Sequence, residues 1–241
     1  MGLFGKEKGK QFWGTFWAFI LFFSFWATAS IAQEKGVLWV DRFSKGVDAG
    51  GIPGGWILEK TLGANSKIAV GQDQGKFFLQ LLSVEDSFGV RKEISFDIRK
   101  FPYLFWQWKV AKLPRGGDIR KRETDDEAGQ IYVLFPRFPT MVNTRSVGYI
   151  WDSQAPIGLF GTSTAYSKMR YVVLESGASR LNQWVSETRN VYEDYKKLFE
   201  EEPPTVGSLL LYINSQHTKS SAECFYADIF FSSSPPDTPK K

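Results

Sequence analysis

The stretch Leu104-Phe105-Trp106-Gln107-Trp108-Lys109 decides the fold. Side chains along an extended strand alternate between two faces, so this run puts both indoles on one side. Short β-branched or aromatic segments recur on either side of it, separated by Gly, Pro, Asn and Asp. Upstream lie Val37–Phe43, Ile57–Thr61, Lys67–Val70, Phe77–Ser83 and Ser87–Phe96. Downstream lie Gln130–Phe135, Ser146–Trp151, Met169–Glu175, Ser208–Asn214 and Glu223–Ser232, the last two read as a closing pair.

One stretch breaks the pattern. From Ser186 to Phe199 the apolar residues Val191, Tyr195, Leu198 and Phe199 fall at helical spacing, with Ser186 as N-cap. On such a helix Arg189 pairs with Glu193 at i,i+4. Arg189 and Asp194, five residues apart, are then about 140° apart around the axis and meet different neighbours. Arg189 is expected to fasten the helix to the Asp125/Asp126 segment. Ten or more strands with a single helix near residues 187–200 predict an all-β, jelly-roll-like β-sandwich.

Residues 1–10 carry Lys6, Lys8 and Lys10, and Phe12 to Ala32 is an uncharged run of 21 residues ending in Ser30-Ile31-Ala32. A basic start, an apolar stretch and small residues at the end read as a signal peptide cut after Ala32, with Ala27-Thr28-Ala29 as the other cut. Retention as an N-terminal membrane anchor is the alternative, since about 20 apolar residues span a bilayer. Either way the domain, residues 33–232, is expected in the periplasm or outside the cell. The tail over 233–241, rich in Pro and Ser, is expected to be disordered.

The whole chain of 241 residues has a net charge of +4. Without residues 1–32, Lys plus Arg falls from 30 to 27 and Asp plus Glu from 26 to 25, a net charge of +2. That near-neutral balance argues against nucleic acid as a partner. One Cys and one His exclude an internal disulfide framework and a multi-histidine metal site. Cys224, in a strand-like context, reads as a buried, inert thiol. The chemistry left over belongs to carboxylates, Arg and aromatics.

Several motifs carry a resemblance: Trp106-Gln107-Trp108-Lys109-Val110, Leu113-Pro114-Arg115-Gly116-Gly117-Asp118, Asp125-Asp126-Glu127-Ala128 and Ile131-Tyr132-Val133. With Arg189-Asn190-Val191-Tyr192-Glu193-Asp194-Tyr195 and Glu202-Pro203-Pro204, the chain resembles the bacterial DUF3047 family over roughly residues 37–232. The resemblance implies an exported protein and supplies no chemistry. A looser likeness is to jelly-roll carbohydrate-binding and galactose-binding-like modules. It rests on Asp41-Arg42-Phe43, Gly55-Trp56 and the closing Tyr226-Ala227-Asp228-Ile229-Phe230.

Candidate site residues follow from residue type. Gly116 to Glu127 is a long polar loop between two apolar strands, a common place for function. Its acids Asp118, Asp125 and Asp126 suit a hard cation such as Ca²⁺, while Arg120 and its basic neighbours suit neutralising them. Trp106, Trp108, Trp151 and Trp184 are candidates for stacking on sugar rings, the last two standing near loop junctions. With Asp118, Arg120, Asp125, Asp126 and Arg189 they form the candidate ligand set. Adjacent residues of an extended segment face opposite ways, so Asp125 and Asp126 do not make a paired acid and base. An enzyme would need Asp126, Asp194 or His217. No nucleophile elbow, metal-binding helix or phosphate loop is present, which favours binding over catalysis. The expected function is non-catalytic binding of an envelope glycan. The alternatives are a polysaccharide hydrolase or lyase, and a structural envelope-assembly protein.

Overall fold

The computed structural model describes residues 36–73 and 75–236. The expected leader and residues 237–241 of the expected tail lie outside the described residues. Strands, in chain order, are β1 (Val37–Asp41), β2 (Ile57–Leu58), β3 (Lys67–Asp73), β4 (Lys76–Val84), β5 (Ser87–Phe96) and β6 (Tyr103–Lys112). After a long loop come β7 (Gly129–Phe135), a single helical turn α1 (Thr140–Asn143), β8 (Arg145–Asp152), β9 (Phe160–Thr162) and β10 (Met169–Ser176). Then follow β11 (Val185–Asn190), α2 (Val191–Phe199), β12 (Val206–Asn214) and β13 (Ser221–Ser232).

These strands form two sheets. One runs β11-β6-β13-β4-β3, with β1 also on β13; the other runs β2-β5-β12-β7-β8-β10-β9. All pairs are antiparallel except β8 with β10. The architecture is the β-sandwich expected from the sequence. β12 and β13 do not close it as a pair: β12 sits between β5 and β7, whereas β13 lies in the other sheet. β13 is long enough to serve two neighbours on one side, β4 along Ser221–Tyr226 and β1 along Ile229–Ser232. The step falls at Asp228, whose φ of +47° marks a bulge in the pairing with β6.

The facing sides of the two sheets share one core. Trp106 and Trp108 point into it from β6, and Tyr149 and Trp151 meet them from β8. Trp106 stacks on Tyr149 at 5.3 Å between ring centroids, and Trp108 meets Trp151 edge-on at 5.7 Å. Burying such rings supplies much of the driving force for the fold. At the start of the domain, Trp56 Nε1 donates to Asp41 Oδ2 at 2.8 Å and its ring stacks on Phe43 at 5.8 Å. The Asp-x-Phe and Gly-Trp signatures therefore meet in space.

The helix differs from its expected form. Residues 186–190 pair with β6 as strand β11, and α2 begins only at Val191, capped by Asn190, whose side chain accepts from Glu193 N. Ser186 bonds Gln107 across the strands instead. Because Arg189 stands on the strand ahead of the helix, helical geometry does not separate it from Asp194. Its guanidinium forks onto Asp194, Nε to Oδ2 at 2.9 Å and Nη2 to Oδ1 at 2.6 Å. Arg189 thus fastens the helix to β11, not to the Asp125/Asp126 segment. Its pairing with Glu193 is replaced by this fork. At the other end of the chain, Ser233 N donates to Gly36 O at 2.8 Å, so the first residues of the expected tail are hydrogen-bonded.

Candidate functional site

The seven-stranded sheet has a second apolar face, away from the core. Tyr132, Ile150, Tyr171 and Val173 form a cluster there, with Leu210, Tyr212 and Met169 against it. Three tyrosines on this face each stand directly across from a glycine. Tyr132 faces Gly148, Tyr171 faces Gly161 and Tyr212 faces Gly89. A Cβ on Gly148 would come within 2.4 Å of the Tyr132 ring, one on Gly161 within 2.3 Å of Tyr171, and one on Gly89 within 2.7 Å of Tyr212. The missing side chains let the rings lie down along the sheet.

A cleft of about 320 Å³ opens over these rings, near the lower end of the usual range for small-molecule sites of ~300–1,000 Å³. Its polar wall comes from two segments. The long loop before β7 runs Asp125-Asp126-Glu127 along one end of the sheet, and Asn214-Ser215-Gln216-His217 leaves β12 beside it. Asn214 ties them together: its Oδ1 accepts from Glu127 N at 2.7 Å and from Gln130 Nε2 at 2.8 Å, and its Nδ2 donates to Asp125 O. Gln130 Oε1 in turn accepts from Tyr132 OH at 2.8 Å. A larger depression of about 470 Å³ beside β3 is lined by Val47, Ile68, Val70 and Phe77 and, among the described residues, by no ionisable side chain.

The acid triplet divides between two sides of its loop. Asp125 and Glu127 line the cleft. Asp126 turns the other way and is fully buried, accepting from Thr218 N at 2.6 Å and from His217 N at 3.2 Å. His217 Nδ1 lies 3.2 Å from Asp126 Oδ1, which leaves Nε2 free of that contact. Glu127 is 2% exposed, and its Oε1 has no hydrogen-bond partner. Burial pushes its carboxyl well above the usual range, and the neighbouring acids, Asp125 first, push it further. Burial also raises Asp125, against the hydrogen bond from Thr164 Oγ1 at 3.0 Å. Asp125 and Glu127 thus face the same cleft, and the charge of each disfavours ionisation of the other. The floor tyrosines are raised by burial, Tyr171 to about 12, and present neutral hydroxyls.

The structure brings together Asp125, Asp126 and His217 from the residues singled out in the sequence. It scatters the rest. Trp106, Trp108 and Trp151 are fully buried between the sheets and offer no face to a ligand. Trp184 stands on the other sheet, against Phe78 and Lys109. Asp194 holds Arg189 and accepts from Tyr149 OH at 2.9 Å, within the core. Asp118 lies under its own loop, clamped by Arg120 and Lys121 and held down to about pKa 2 chiefly by Arg120. The Ca²⁺ set does not converge: Asp118, Asp125 and Asp126 each have separate donors, and among the described residues no cluster of three metal-ligating side chains forms. Glu127, Tyr132, Tyr171 and Tyr212 were not singled out. The i,i+2 spacing of Asp125 and Glu127 is the signal that finds the first of them.

Fold and cleft define a β-sandwich with a polar, tyrosine-floored groove on the outer face of one sheet. The chain belongs to the family described as "Protein of unknown function (DUF3047)", whose model matches residues 55–230. No curated protein matches it in sequence. Among solved structures it is similar to the family 11 carbohydrate-binding module of the cellulase Lic26A-Cel5E of Clostridium thermocellum. That likeness has a TM-score of 0.44 and 9% identity, over 83% of this chain and 95% of that one. The family 30 module of Cel9D-Cel44B from the same organism gives 0.43 and 12%, over 84% and 99%. The xyloglucanase domain of NopAA, a type three effector from Sinorhizobium fredii in complex with cellobiose, gives 0.41 and 10%, over 75% and 93%.

Proposed function

We propose that this chain is an exported β-sandwich that binds a glycan in the tyrosine-floored cleft. The observation that carries the reading is the set of three tyrosines laid over three cross-strand glycines, beneath a wall of hydrogen-bonding side chains. Sugars present apolar CH faces and a rim of hydroxyls. Aromatic rings suit the first, and groups that both donate and accept suit the second. Gln130, Asn214, Gln216 and the tyrosine hydroxyls supply both kinds. Export rests on the basic, apolar, small-residue order of residues 1–32, and it makes an envelope polysaccharide the natural partner.

Affinity electrophoresis through gels holding soluble polysaccharides tests this. The expected result is retardation that Tyr212→Ala weakens at least tenfold and Trp184→Ala leaves unchanged. Equal retardation of all three proteins would move the site away from this cleft. The envelope-assembly reading has one observation of its own: Phe138 and Met141, in the β7–β8 connection, are 93% and 95% exposed. Co-purification with an envelope protein, lost in Phe138→Ser, would favour it.

A further inference from the structure

We propose that the cleft hydrolyses a neutral glycan, with Glu127 as general acid and His217, oriented by Asp126, as general base. The inference rests on the glycan-binding reading of the same cleft and adds chemistry to it. A carboxyl oxygen buried without a donor costs about 1–3 kcal/mol, and in a cleft lining that cost marks a group to be explained. Glu127 Oε1 is such an oxygen, on a side chain that lines the cleft. Asp125, two residues earlier on the same cleft wall, adds a like charge that favours the neutral form of Glu127, as does its burial. Glu127 belongs to the cleft lining, and in this proposal it gives its proton there once substrate is bound.

The second group is built separately. Buried Asp126 accepts from the backbone of His217 and Thr218 and engages His217 Nδ1, so the ring is held by its chain and by its own nitrogen. With Nδ1–H directed to the carboxylate, Nε2 is the basic nitrogen. A histidine fixed by a buried carboxylate and a protonated carboxyl thus line one cleft. They are the two roles that acid–base hydrolysis requires.

The step balances with water as the only co-reactant. Glu127 gives its proton to the glycosidic oxygen as the C1–O bond breaks, and the bonding electrons leave with that oxygen. A water oxygen bonds to C1 while His217 Nε2 takes one of its protons. One reducing end and one new hydroxyl result. His217 then loses its proton to solvent, and Glu127 regains one from it. The lining sets the substrate class. Among the described residues it holds Asp125 and Glu127 but no Lys or Arg, so it offers no permanent cation to a uronate or sulfate. The same lack argues against a lyase, which must neutralise its substrate's carboxylate.

The test uses the full chain with mixed-linked β-glucan, xyloglucan and galactomannan, and polygalacturonate as the acidic control. Retention in affinity gels and release of reducing ends are measured on the same samples. The expected result is release from a neutral polymer, reduced at least 100-fold in Glu127→Gln and in His217→Ala. Retention that persists in Glu127→Gln while release is lost supports the catalytic role, and parallel loss of retention and release in both variants overturns it. Retention of a neutral polymer without release overturns the catalytic inference and leaves the binding reading standing. Neither retention nor release on any neutral polymer overturns both. Release only from polygalacturonate, or release of acetate from an acetylated polymer without new reducing ends, overturns the assigned chemistry.

Discussion

Tyr132 lies directly across the β7–β8 ladder from Gly148, and its ring occupies the space a side chain at 148 would fill. The pair links sheet and site, because the same contact that flattens the ring shapes the cleft floor. Gly148→Ala would put a methyl group within 2.4 Å of that ring. Overpacking of this kind costs about 1–3 kcal/mol. We expect a lower melting temperature and weaker glycan retention together. An unchanged melting curve would show that the ring moves freely.

The Arg189–Asp194 fork should dominate the attachment of α2. Arg189 keeps 29% of its side chain exposed and Asp194 only 8%, so removing the arginine strands a nearly buried carboxylate. Allowing for the exposed side of the pair, Arg189→Ala should cost about 2–3 kcal/mol by chemical denaturation. Asp194→Asn, which keeps one acceptor for Tyr149 and Arg189, should cost less. Equal losses would mean that packing, not charge, holds the helix.

Glu187 on β11 gives a pH-dependent stability. Burial, and then the charge of Glu175, raise its carboxyl from 4.5 to about 7, while Arg180 and Arg189 pull the other way. A raised acid binds its proton more tightly folded than unfolded. Stability is therefore greatest below about pH 4.5 and falls as pH rises towards 7, to stay lower above it. Glu187→Gln removes a penalty on the order of 3 kcal/mol. It should raise the melting temperature at about pH 8 and leave it unchanged at about pH 4. A gain of equal size at both would refute the linkage.

Cys224 should be silent in the native protein. It is fully buried, and burial pushes its thiol up to about 12. A thiol reagent near neutral pH should label it only after denaturant unfolds the domain. Rapid labelling of the folded chain would show that β13 opens locally.

Strand alternation was the most legible layer of this sequence. Ser87–Phe96 is a strand with the same ends in sequence and structure, and the placement of Trp106 and Trp108 on one face holds because β6 is regular. Alternation also separated Asp125 from Asp126. Its extension by one residue leads to Glu127, whose importance comes from burial, which no short spacing reveals. The start of α2 was hidden because residues 186–190 suit a helix locally but bond to β6. The cleft tyrosines were hidden because Tyr132, Tyr171 and Tyr212 come from three strands far apart in the chain. Their glycines, Gly148, Gly161 and Gly89, become meaningful only once the register is known. Trp106 and Trp108 follow the ordinary rule for a large ring on a central strand, which fills the core before it faces a ligand.

The hydrogen bond from Ser233 to Gly36 gathers both ends of the described domain at one corner of the six-stranded sheet, beside β1 and the end of β13. The cleft lies on the outer face of the other sheet. A linkage made at Gly36 or Ser233 therefore sits on the sheet away from the cleft. Under the glycan-binding proposal, protein attached to a support through Gly36 or Ser233 should retain a polysaccharide as well as protein free in solution does.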